Sequence, residues 1–140
     1  MKQVIICGLI IFGFIVTGSG QNSKSAENNS NKIAIIWTSN DPEVAEKVCF
    51  MYAQNAKKQG WFDEVTLVIW GPSIRLLAEN DDLKADIAKM MDMGIAIEAS
   101  LSCAQLYGVG PDLAELDIDV KPMGVPLTGY IKEGWKILSF

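Results

Sequence analysis

The chain has 140 residues, 49% of them hydrophobic, with 12 Lys and Arg against 17 Asp and Glu for a formal charge of -5, and it contains no histidine. That length suffices for one compact domain with a real core, and an acidic balance without a basic run disfavours a nucleic-acid partner. The missing imidazole removes the usual activating base of serine and cysteine hydrolases and the commonest metal ligand, which excludes serine- and zinc-hydrolase readings.

The first segment, MKQVIICGLIIFGFIVTGSG, has Lys2, an apolar run from Val4 to Val16, and small residues at Gly18, Ser19 and Gly20. It reads as a cleavable signal peptide over residues 1–20, because the run falls short of the ~20 apolar residues a membrane span needs. A periplasmic or secreted protein with no stable membrane anchor after leader cleavage is therefore expected. Cys7 leaves with the leader, so two cysteines remain, Cys49 and Cys103. Residues 21–31, QNSKSAENNSN, are polar throughout and read as a disordered linker, since they cannot bury enough surface to offset chain entropy.

Short β-branched runs then alternate with amphipathic stretches, the pattern of an α/β domain over 32–140. KIAIIW (Lys32 to Trp37) is the first strand. Asp41 caps a helix with Pro42 at its first position, running to about Lys58 and stopping at Gly60. EVTLVIW (Glu64 to Trp70) is apolar without alternation at its centre, as a strand covered on both faces should be. Two helical pieces follow, broken around Asn80, the second opened by Asp81 or Asp82 and closed by Gly94. IAIEAS (Ile95 to Ser100) is the third strand, Leu101 to Tyr107 a short helix, and another helix starts after Pro111. IDVKPM is a fourth strand, PLTGYIKEGW a last helix and KILSF a closing strand. The expected architecture has three layers, a central mostly parallel sheet with helices on both faces.

In such sheets ligands gather beyond the carboxyl ends of the strands. The loop after Trp37 presents Asp41 and Glu43, which repel a phosphate, and GPS after Trp70 has neither a dinucleotide fingerprint nor a P-loop lysine. Met90 to Met93 read as core filler at a helix end, not as a thioether copper site. The loop after the third strand differs because it carries Cys103. With Ser100 as cap, Cys103 falls in the first turn of a helix, where unpaired N–H groups and the helix dipole favour an anionic sulfur. The residues alone leave two readings of Cys103 open, a reactive thiol or a small apolar residue packed at a strand-to-helix junction. Cys49 falls on a helical stripe with Ala45, Val48 and Tyr52 and reads as packed against the sheet; its pairing with Cys103 also stays open.

Four blocks, KIAIIWTSNDPEVA, NAKKQGWFDEVTLVIWGPS, CAQLYGV and MGVPLTGYIKEGWKILSF, occur in this order across the folded part. Together they resemble the DsrE-like family of small sulfur-relay proteins. The resemblance implies the same α/β fold, a homo-oligomer (trimer or hexamer), sulfur donor and acceptor proteins as partners, and a cysteine that carries sulfur as a persulfide, without cofactor or metal. In the subgroup it is most similar to, the block after the third strand reads C-x-x-C followed by alanine. Here that block is SLSCA, so Ser100 stands at the first cysteine and Cys103 matches the second. The function expected from residues and resemblance together is a single-cysteine persulfide carrier with Cys103 as its catalytic residue. The competing class is a non-catalytic oligomeric binding module of the same fold. It draws on the missing first cysteine, the missing base, and Trp61 and Phe62 at a loop, which either line an interface or pack back on the core.

Overall fold

The computed structural model describes residues 31–140, so the expected leader and nearly all of the expected linker lie outside the described residues. Five strands, β1 (Lys32–Trp37), β2 (Glu64–Ile69), β3 (Ala96–Ser100), β4 (Asp119–Lys121) and β5 (Lys136–Ser139), form one sheet in the order β4-β3-β2-β1-β5. Every neighbouring pair is parallel, in registers such as Ile35 with Leu67, Leu67 with Ile97 and Ser100 with Lys121.

The chain lays β1 to β4 side by side in one direction, then returns across the whole sheet to place β5 beside β1. Right-handed crossovers that step in one direction leave their helices on one face, and a crossover stepping back lands on the other. The packing follows this rule. Ile33, Ile35, Trp37, Val65, Leu67, Ile69, Ile97 and Ala99 share the main core with residues of the helical elements that precede β4, apart from the first, which buries none. These elements are α1 (Pro42–Val44) and α2 (Met51–Lys58), joined by a π-helical stretch over Ala45–Phe50, then α3 (Pro72–Glu79), α4 (Asp81–Asp92), α5 (Leu101–Tyr107) and α6 (Gly110–Ala114). The opposite face, with Ala34, Ile36 and Val68, is covered by α7 (Gly124–Lys132) through Leu127 and Tyr130, together with Met123 and Trp135. The expected α/β architecture, a parallel sheet with helices on both faces, is what the chain adopts.

Local chemistry accounts for most element ends. The Asp41 carboxylate accepts from the Glu43 N–H at 2.8 Å, with Pro42 at the first helical position. Asn80, not Asp81 or Asp82, caps α4 by accepting from the Leu83 N–H at 3.0 Å. Asn80 stands in the extended backbone a cap requires, while the two aspartates fill the first turn, where their charge suits the helix dipole. The helix expected as one piece from Asp41 to Lys58 is interrupted by the π-helical stretch, and the last helix starts at Gly124, two residues earlier than PLTGYIKEGW implies. Pro126 is tolerated in that first turn because an N–H there has no intrahelical partner to lose.

Ser73, fully buried at the start of α3, ties two strand ends together: its hydroxyl lies 2.6 Å from the Trp37 carbonyl and 3.1 Å from that of Trp70. Gly71 just before it has φ 74, a left-handed setting that favours glycine. Replacing Ser73 with Ala removes one of two donors to the Trp37 carbonyl, which keeps the Trp70 N–H at 3.0 Å, and the expected loss is about 0.5–1.5 kcal/mol of unfolding free energy in a urea titration. A variant as stable as the parent would show that the tie contributes nothing.

Candidate functional site

The helices that follow β3 lie on one face of the sheet and the helix that follows β4 lies on the other. The carboxyl ends of these two neighbouring strands therefore part, which makes the β3/β4 margin the switch point where an open parallel sheet forms its binding crevice. The junction carrying Cys103 is on this margin.

Ser100 ends β3 in an extended conformation and caps α5, its hydroxyl oxygen accepting from the Cys103 N–H at 3.4 Å. This is the capping geometry expected from the sequence. Cys103 sits in the first turn of α5, half-buried, with one flank against the main core. Ser100 also pairs with Lys121, the last residue of β4, so the cap of α5 and a lysine-bearing strand end stand side by side at this switch point.

Cys49 is in a different situation. It belongs to the π-helical stretch, is fully buried in the main core, and burial pushes its thiol from 9.0 up to about 12. Both thiols are free, so the disulfide left open by the sequence does not form. Cys49 is a packing residue, and Cys103 is the thiol within reach of solvent.

Below the crevice lies a charged cluster that sequence reading missed. Glu98, in the middle of β3 on the α7 side, has a side chain only 9% exposed. Its Oε1 accepts from Lys121 Nζ at 2.7 Å and from the Tyr130 hydroxyl of α7 at 2.7 Å. Lys121 Nζ also donates to Asp119 Oδ2 at 2.6 Å. Partial burial works against the lysine charge, but its bonds to Asp119 and Glu98 outweigh it and hold the ammonium above its ordinary range. Burial, then the bond to Glu98, raises Tyr130 as well, so it remains a neutral donor. The signal available in the sequence was a glutamate inside an otherwise apolar strand, a costly placement unless the charge is paired.

The two loop aromatics divide. Phe62 packs on the core, whereas Trp61 is 52% exposed and lines a groove of about 350 Å³ with Val48, Met51, Tyr52 and Phe140. Among the described residues no group of three or more His, Cys, Asp or Glu is placed to hold a metal ion, and no helix is long and apolar enough to cross a membrane.

Among solved structures, the chain is similar to a conserved protein of unknown function from Bacteroides thetaiotaomicron. The two are 36% identical over 82% of this chain and 99% of that one, with a TM-score of 0.77. It is also similar to a protein of unknown function from Methanobacterium thermoautotrophicum, at 17% identity over 78% and 98% of the two chains with a TM-score of 0.66, a likeness of fold alone. No protein-family model matches the sequence, and no curated protein does.

Proposed function

The chain belongs to the same family as the conserved Bacteroides thetaiotaomicron protein, and from that premise we propose that it is a single-cysteine carrier of sulfane sulfur of the DsrE-like kind, with Cys103 as the carrying residue. The observation that carries this reading is the contrast between the two thiols: one is sealed in the core and held protonated, the other is half-exposed at the β3/β4 switch point beside a capped helix turn.

The chemistry needs no cofactor. The Cys103 thiolate attacks the outer sulfur of a donor persulfide, the donor's S–S bond breaks, and the donor thiolate leaves with the electron pair. Cys103 then holds a persulfide whose terminal sulfur is anionic and faces the crevice. An acceptor thiolate attacks that outer sulfur and releases the Cys103 thiolate, so no net oxidation occurs. Ser100 holds the turn by its capping bond and takes no part in the transfer. Donor and acceptor are proteins or small thiols outside the cytoplasm, reached through export by the leader over residues 1–20. The working form is a homo-oligomer; the exposed Val125 and Ile131 on α7 and Ile137 on edge strand β5 offer it contact surface.

The intact mass of the protein after incubation with a persulfide donor tests this. The expected result is one added sulfur per chain, removed by cyanide and absent from Cys103→Ser. A chain that gains no sulfur, or gains it equally in the variant, favours instead a binding module of the same fold, which the cluster under the crevice supports.

A further inference from the structure

We propose that the β3/β4 crevice binds a ligand bearing a primary ammonium, received by the Glu98 carboxylate together with that of Asp119. Glu98 Oε1 takes two donors, but Oε2 is shut off from solvent and has no donor among the described residues. A buried carboxylate oxygen left so is costly, and an N–H donor brought to it recovers that cost.

Charge selects the kind of donor. Glu98 and Asp119 face one another across β3 and β4 with Lys121 between them, so two anions meet one cation and the cluster keeps one excess negative charge. A cation is favoured there and an anion repelled. A bare divalent ion is a poorer fit, since calcium and magnesium take six or more oxygen ligands and these residues offer few.

The route to Glu98 runs from the switch point. Lys121 is 29% exposed and already bonded to Asp119, itself 59% exposed, so rotation of the lysine uncovers Glu98 without loss of its other partner. Tyr130 holds the carboxylate from the α7 side throughout. The site thus has a fixed wall and a movable one.

The experiment is carbon NMR of protein labelled at the glutamate carboxyls, titrated at constant ionic strength with methylammonium chloride and, separately, with tetramethylammonium chloride, which carries the same charge and no N–H. The Glu98 resonance is assigned by its disappearance in Glu98→Gln or, where that variant fails to fold, by its displacement in Tyr130→Phe. The expected result is a saturable shift with methylammonium, none with tetramethylammonium, and roughly fivefold weaker binding in Asp119→Asn, the upper range for one exposed charge pair. An equal response to both salts, or none, means that Oε2 is served by water only and overturns the proposal. Cys103→Ser binds methylammonium as the parent does, so failure of this site and failure of sulfur carriage are read separately.

Discussion

Within residues 31–140, iodoacetamide at neutral pH adds once to the folded protein, at Cys103, and adds a second time only in denaturant. Alkylation requires a thiolate that solvent can reach. A thiol raised from 9.0 to about 12 has about a thousandfold less thiolate at neutral pH than it has in the unfolded chain. Cys49 is also fully buried, so it reacts only through opening of the core. Cys103, half-buried in the first turn of α5, needs no such opening. Peptide masses after digestion check the result, and Cys103→Ser is expected to take up no label on residues 31–140 while folded. Labelling of Cys49 at a rate similar to Cys103 would contradict the packing described here.

Alkaline pH is expected to destabilise the protein through the same buried thiol. In the native state Cys49 stays protonated up to about 12, while in the unfolded state it titrates at its ordinary 9.0. Below 9 both states hold the proton and the group adds no pH dependence. Above 9 the unfolded state alone releases it, so its share of stability is lost at about 1.4 kcal/mol per pH unit, up to about 4 kcal/mol as pH reaches 12. The raised Tyr130 and Lys121 act in the same direction, and comparison with Cys49→Ala isolates the cysteine. Urea midpoints measured at about pH 8 and about pH 11 should fall less in that variant than in the parent. Parallel falls would show that the Cys49 thiol is not held protonated by burial.

Much of this was legible from residues near one another in sequence. The first three strands announce themselves as apolar runs between turn residues, and the Asp41 and Ser100 caps follow from side chains that accept from N–H groups two or three residues on. The burial of Cys49 follows from its helical stripe with Ala45. Val48, read on the same stripe, is 42% exposed and Tyr52 only partly buried, because the π-helical stretch departs from the spacing of a plain helix. What escaped depends on distance or on backbone detail. Glu98 meets Lys121 and Tyr130 at separations of 23 and 32 residues, and only the assembled sheet with α7 laid over it brings them together. The π-helical stretch over Ala45–Phe50 changes hydrogen-bond partners without changing composition, so a run that reads as a plain helix conceals it. β4 has three residues, too few for an alternation pattern to define its ends. Trp61 and Phe62 are adjacent and equally apolar, yet one faces the groove and the other the core, a choice made by the turn after α2.

The most direct test of the central claim, that the thiol at the β3/β4 switch point is the sulfur carrier, is to load the protein with isotopically labelled sulfur from a persulfide donor and map the label by peptide. The expected result places it on the peptide containing Cys103, in the parent and in Cys49→Ala alike, and a small thiol then removes it. Label on the Cys49 peptide, or loading that survives Cys103→Ser, would contradict the account.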